Sequence, residues 1–283
     1  MRVWYKYRLT TDPSLAGKTV RGEDDDFIEL GADLDRDAFL ARRRDDDSTR
    51  SIVAFLRANL ARSDHVISVG GGNGEHEVHL IVAGYDILVT DVSAEALAVL
   101  ATKFPEAKTR IVDILRTDFA SAYPDLVGAF DAVFVPSLFY YMDVANTERA
   151  VRNMDLLVRP GGRLLLNLRE RDSAITRFID DRLLAWEQPL LRWNRLRKTG
   201  TGHYTYRVAA GYRRSLAEFR NIVLAVTAWR FESLTHGAHA HEFRRSAVLQ
   251  KLRLCRALGR LFGDAAAYNN LFVFAKPVGG PAR

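Results

Sequence analysis

Cysteine occurs once in the 283 residues, at Cys255, and that scarcity removes two kinds of chemistry. No disulfide can close within the chain, and a zinc site built on thiolates lacks its ligands. Hydrophobic runs are also short, and none approaches the ~20 residues that a membrane-spanning helix needs. Arg2, Lys6 and Arg8 interrupt the first ten residues, so no secretory signal is expected and the compartment expected is cytoplasmic. Lysine is scarce too: it supplies seven of 41 basic residues, and arginine the others. Such a bias reads first as the composition of a GC-rich bacterial genome. Its second reading is a surface for phosphates or carboxylates, which the guanidinium fork grips in pairs. The net charge of +6 does not choose between them.

What is present is an alternation. Residues 1–48 form an N-terminal arm or lid, with Trp4, Tyr5 and Tyr7 followed by acidic runs at Glu23–Asp26 and Asp45–Asp47. Ile52, Phe55, Leu56 and Leu60 then repeat at helical spacing. Five short β-rich runs follow: His65–Val69, Ile87–Thr90, Arg110–Val112, Ala132–Val135 and Arg163–Asn167. Helical patterns over Glu75–Ala83, Ala94–Lys103 and Thr147–Val158 separate them, with Gly84 as a stop and Ser93 as a cap. This rhythm predicts an α/β fold whose mostly parallel sheet is doubly wound, with helices on both faces.

The last third carries helical additions. Ser173 to Leu196 reads as helical, His203 to Tyr212 as a strand or hairpin, and Ser215-Leu216-Ala217-Glu218 as a capping box opening another helix. Strand candidates Trp229–Leu234 and Leu271–Ala275 bring the sheet to seven, and a basic helix carrying Leu249, Leu252, Cys255 and Leu258 lies between them. The predicted division is therefore 1–48, then one domain over 49–283 with insertions at about 171–212 and 236–269 forming a substrate cover.

The chemistry concentrates at Gly70-Gly71-Gly72-Asn73-Gly74, which follows a strand directly. Glycines admit positive φ and let a ligand approach the backbone without a Cβ in the way. Free N–H groups at the start of the next helix favour a hydrogen-bond acceptor. Asp91 ends the next strand, 17 residues after Gly74, and one carboxylate there can accept both hydroxyls of a ribose. A nucleoside-containing cofactor follows. A dinucleotide fingerprint, G-x-G-x-x-G, would need glycine at Glu75, where a carboxylate is a poor neighbour for a pyrophosphate.

In order, Val66–Gly74, Ile87–Asp91, Ile111–Asp113, Phe130–Ser137 and Leu156–Leu166 resemble the landmarks of class I, seven-stranded S-adenosylmethionine-dependent methyltransferases. The resemblance covers about residues 50–170 and, more loosely, 213–276. It implies S-adenosyl-L-methionine as cofactor and a Rossmann-like fold. Gly70, Gly71 and Gly72 would line the methionine part, Asp91 and Val92 would hold the ribose, and Asp113 would accept from the adenine amino group with Ile114 on the ring. Pro136 and Ser137 would border the sulfonium and the substrate. The position two before Gly70, commonly acidic in the family, is Ser68 here, so an acid near the cofactor's ammonium must come from elsewhere, Glu75 being a candidate.

Methyl transfer asks the protein mainly for alignment, plus a base where the acceptor carries a proton. After the fourth strand stands Pro136-Ser-Leu-Phe-Tyr-Tyr141, not the Asn/Asp-Pro-Pro-aromatic box of base amino methylation, and no Pro-Cys nucleophile exists. His239 and His241, clustered with His236, and Tyr141 are the candidate catalytic groups, and no metal site is expected. The expected reaction is methylation of O, N or C of a small metabolite, aromatic or acidic, in specialised metabolism. RNA methylation and a non-catalytic, cofactor-binding scaffold are the alternatives, and no membrane partner is expected.

Overall fold

The computed structural model describes residues 35–44, 46–168, 215–238, 251–267 and 269–278, with isolated positions between them. Seven strands form one sheet: β1 (His65–Val69), β2 (Asp86–Asp91), β3 (Lys108–Ile111), β4 (Phe130–Pro136), β5 (Val158–Leu168), β6 (Arg230–Gly237) and β7 (Asn269–Ala275). Their spatial order is β3-β2-β1-β4-β5-β7-β6. β7 runs antiparallel between β5 and β6, and the ladders from β3 to β5 are parallel. The chain winds outward from β1 to β3, then returns to start beside β1 at β4. Such a reversal leaves a crevice beyond the carboxyl ends of β1 and β4, because the two connections leave in opposite directions.

β1, β4, β7 and the second half of β5 are buried on both faces because helices cover both, whereas the edge strands β3 and β6 are mostly exposed or half-buried. One core cluster joins Ile67, Val133, Val135, Leu164 and Leu166 to Met154 and Leu157 of α6 (Val144–Leu157) and to Phe219 and Val223 of α7 (Leu216–Val226). The other face packs Val66, Val89, Phe134, Leu165 and Val273 against Ile52, Phe55 and Leu56 of α2 (Asp47–Asn59), and against Leu97 and Leu100 of α4 (Ala94–Lys103). Within the predicted N-terminal arm, α1 (Arg36–Arg44) joins this second layer through Phe39, edge-on to Phe104. Caps mark several starts: Asp46, Ser93, Asp143 and Ser215 each accept from the N–H three residues on. Two short helices, α3 (Val78–Ile81) and α5 (Phe119–Ala122), lie in the loops, and α8 (Cys255–Phe262) precedes β7.

Several boundaries differ from the sequence reading, three of them in ways that bear on the site or the sheet. The helix expected over Glu75–Ala83 shrinks to Val78–Ile81, because Gly74 at φ +75° extends the turn through residue 77. β5 begins at Val158, before the Arg159-Pro160-Gly161-Gly162 turn. Its pairing to β4 skips from Val158 to Arg163, so those residues bulge within the ladder. β6 continues past Leu234 to Gly237, opposite Asn269. The readings over Ser173–Leu196 and His203–Tyr212 lie largely or wholly outside the described residues.

The bulge predicts a measurable contrast. A Cβ at Gly162 would stand 2.5 Å from the Asp131 carbonyl oxygen, whereas Gly84, at φ +86°, faces open space. Gly162→Ala should cost about 2–3 kcal/mol in urea unfolding, and Gly84→Ala, with strain but no clash, about 1 kcal/mol. Equal losses would mean that close backbone approach is not what requires Gly162.

Candidate functional site

The glycine turn is fastened to the neighbouring strand before any ligand is considered. The N–H groups of Gly70 and Gly71 both donate to the Thr90 carbonyl at the end of β2, at 2.9 and 3.0 Å. The Gly72 N–H donates to Asp91 Oδ2 at 2.9 Å, and the Gly74 N–H to the Gly71 carbonyl. These donors of the turn face the protein, and α3, where free N–H groups were expected, is too short to add a helix-end field. What the turn offers is approach. Gly72 has nothing nearer to its missing Cβ than Asp91 Oδ2 at 4.0 Å.

Gly71 is different. A Cβ there would meet Val89 at 2.6 Å, Ser68 Oγ at 3.0 Å and Glu77 Oε1 at 3.3 Å, so Gly71 lies flat on the sheet. Gly70 needs positive φ, at +72°, and its missing Cβ points to Leu138 at 2.9 Å. The turn after β1 and the turn after β4 thus touch across the crevice.

Asp91 is 5% exposed, and both its oxygens are engaged: Oδ2 by Gly72 and Oδ1 by the Ser93 N–H at 2.9 Å. Each carboxylate oxygen can accept more than one bond, so the group retains acceptor capacity on its open side. Val92 beside it is 65% exposed, an apolar surface placed next to an acceptor pair. Sugar hydroxyls and a flat base require that combination, and the residues fit a nucleoside.

Asp113 follows β3 in a loop held from two sides. Its N–H donates to Tyr123 Oη, and its Oδ1 accepts from the Leu115 N–H. Buried Asn153 of α6 donates through Nδ2 to the carbonyls of Ile114 and Arg116, at 2.7 and 2.9 Å. Ile114 is itself buried in the core beneath this loop.

Beyond β4, Pro136 is half-buried and Ser137 takes a left-handed conformation at φ +56°. A β-carbon makes that conformation costly, and such strain persists only where neighbours enforce it. Asn167 at the end of β5 enforces it twice. Its carbonyl accepts from the Ser137 N–H at 3.2 Å, and its Nδ2 donates to Ser137 Oγ at 2.9 Å. Asn167 is 3% exposed, and its Oδ1 has no hydrogen-bond partner among the described residues.

The sheet therefore brings Gly70–Gly72, Asp91, Val92, Asp113, Pro136 and Ser137 to one edge. It does not do the same for the candidate bases. His239 and His241 lie outside the described residues, as does the Tyr141 side chain, although its backbone ends a 3-10 helix over Leu138–Tyr141. His236 belongs to β6, its Nδ1 at 2.7 Å from Asn270 Oδ1.

Two further residues of the site stand outside the sequence reading. Asn167 gives no signal, since a polar residue ending a strand is ordinary. Glu77 does give one: it stands three and four residues before buried Leu80 and Ile81, on the inward face of that turn. It is 1% exposed, accepts from Ser68 Oγ at 2.5 Å and receives the His76 N–H at 3.2 Å. Burial pushes its carboxyl from 4.5 up to about 7, with Glu75 adding a smaller like-charge effect and the hydrogen bonds opposing.

The glycine turn and the buried Asp91 stand at the switch point of a seven-stranded sheet, and that fold is shared by known proteins. Residues 67–166 match the family described as "Methyltransferase domain". No curated protein sequence matches. A putative methyltransferase in complex with the Haloferax volcanii Trm112 methyltransferase activator shares the fold at 15% identity and TM-score 0.56, over 87% of this chain and 97% of the other. A structure from the conversion of a disulfide bond into a thioacetal group during echinomycin biosynthesis shares it at 17% identity and TM-score 0.53, over 81% and 82%. An S-adenosylmethionine-dependent methyltransferase from Methanosarcina mazei does so at 11% and 0.51, over 80% and 98%. Residues 67–166 thus match a methyltransferase domain, and the cofactor this match supports is S-adenosylmethionine. So widely used a fold does not select the acceptor.

Glu77 carries a pH prediction. Its pKa is higher in the folded chain than the ordinary value, so its contribution to stability is fully present below about pH 4.5 and is lost as pH rises through about 7. The loss should be roughly 3 kcal/mol, from 1.36 kcal/mol per pKa unit. Chemical unfolding at pH 5 and pH 8 should show this fall in the wild type and a flatter profile in Glu77→Gln. Parallel profiles would contradict the buried carboxyl.

Proposed function

We propose that this protein transfers the methyl group of S-adenosylmethionine to O, N or C of a small-molecule acceptor. The observation that carries the reading is Asp91: a buried carboxylate, fixed by the glycine turn and by Ser93, with exposed Val92 at its side. Asp91 holds the ribose hydroxyls, Val92 and the Asp113–Ile114 loop border the base, and Gly70–Gly72 pass beneath the amino-acid portion. When bound, the cofactor supplies a methyl group already activated on a sulfonium. The protein itself has to align the acceptor and exclude water.

Ser137 and Asn167 stand on the acceptor side, where the buried Asn167 Oδ1, without a hydrogen-bond partner among the described residues, can receive an N–H or O–H. Residues 1–48 and the insertions at about 171–212 and 236–269 are the remaining sources of a substrate cover, and the acceptor is an aromatic or acidic metabolite of specialised metabolism. His239, His241 and Tyr141 remain the candidates for a base.

Charge pairing favours a small acceptor over RNA. Arg36 pairs with Glu106, Lys108 with Asp86, Arg110 with Asp125, Arg116 with Asp118 and Arg159 with Asp131. The paired arginine hydrogen bonds hold the carboxyls of Asp118 and Asp125 below their ordinary range. These five basic groups face acidic neighbours and so do not form an unbroken basic surface for a phosphate backbone. Among the described residues no helix is long and apolar enough to cross a membrane.

Calorimetric titration with S-adenosylmethionine and S-adenosylhomocysteine should give saturable heats, and Asp91→Asn should weaken both by about 30-fold, the loss of a hydrogen bond to a charged group. Absence of heat in the wild type contradicts the reading. Methyl-labelled cofactor in a cell extract should label the small-molecule fraction. Label in RNA, with strongly salt-dependent binding to bulk tRNA, contradicts the acceptor class.

A further inference from the structure

Among the described residues, Glu77 is a fully buried carboxylate without a cation: no Lys, Arg or His there forms an ion pair with it. Its contacts are the Ser68 hydroxyl, the His76 N–H and its own backbone, and the charge acting on it is that of Glu75, which is of like sign. Ionising a carboxyl buried in this way is costly without a cation, so it holds its proton until one comes near.

Its position says where that partner comes. Oε1 lies 3.3 Å from the place a Cβ would take on Gly71, beside Ser68 of β1 and Val89 of β2. Neither of those side chains titrates. The carboxylate therefore packs against the side of Gly71 that faces the sheet, and a side chain there would clash with Val89.

We infer that Glu77 is the countercharge for the α-ammonium of the cofactor, held under the glycine turn by Ser68 and acting across Gly71. This rests on the cofactor reading above and adds to it a named residue, on α3's approach rather than on β1. Ser68 then has a defined role. Its hydroxyl donates to Glu77 and sets the carboxylate's place, so Glu77 and not Glu75 supplies the acid near the ammonium. The arrival of a positive charge favours the ionised carboxyl, so binding drives a proton off Glu77 into solvent.

Two measurements test this. Titration of the wild type with S-adenosylhomocysteine near pH 6.5, in buffers of different ionisation enthalpy, should show release of a fraction of a proton. Glu77→Gln should abolish that release and weaken S-adenosylhomocysteine about ten-fold. Binding of 5′-methylthioadenosine, which has the nucleoside but no amino-acid portion, should be unchanged in the variant. Equal weakening of both ligands would make Glu77 merely structural and overturn the inference, as would binding by the wild type with no proton released. Failure of the wild type to bind S-adenosylhomocysteine at all would instead overturn the cofactor reading. The proton count needs no variant, so it decides even where Glu77→Gln folds poorly.

Discussion

The Thr90 carbonyl receives two N–H groups, from Gly70 and Gly71, and the site grows from that pair of hydrogen bonds. β1 and β2 already run in register from His65 opposite Asp86 to Val69 opposite Thr90. The two extra bonds carry that pairing past the end of β1 and lay the turn against β2. Asp91 then follows directly and meets Gly72, so the turn and the acid are positioned by one ladder. Glycine is required at 71 because Val89 occupies the side-chain space, and at 70 because Leu138 does. These are packing constraints first, and they set how close a ligand comes to the backbone.

A second layer of polar groups lies underneath. Thr90 Oγ1 donates to the Ser68 carbonyl, Ser68 Oγ to Glu77, and the Glu77 carboxylate receives the His76 N–H. A hydrogen-bonded chain in a low-dielectric setting fixes geometry tightly because each unmade bond is expensive. Across the crevice, Asn167 does the same for Ser137. Among the described residues the two halves differ in what they leave uncompensated: a buried carboxyl without a cation under the turn after β1, and a buried amide oxygen without a hydrogen-bond partner beside the turn after β4. The first suits a cationic cofactor portion and the second a hydrogen-bonding acceptor.

The sheet is legible in the sequence because its strands are apolar runs separated by capped helices, a pattern that survives without tertiary information. Asp91 and the glycines are legible through their order along the chain. Boundaries near Gly74 are not, since a positive-φ glycine that packs on Leu100 prolongs a turn that periodicity alone assigns to helix. The N–H groups of the glycines turn toward β2, which spacing could not foretell because it carries no orientation. Ser68 looks like a deficit in sequence, yet in three dimensions it is one end of a pair whose other member lies nine residues on. Asn167 shows the limit most clearly, since its role depends on the left-handed backbone of Ser137, thirty residues away in sequence.

A crystal structure of the protein with S-adenosylhomocysteine tests the central claim most directly. Both ribose hydroxyls are expected on the Asp91 carboxylate, the adenine beside Val92 and the Asp113 loop, and the amino-acid portion over Gly70–Gly72. A ligand seated away from the ends of β1 and β2, or a ribose that leaves Asp91 untouched, would contradict it.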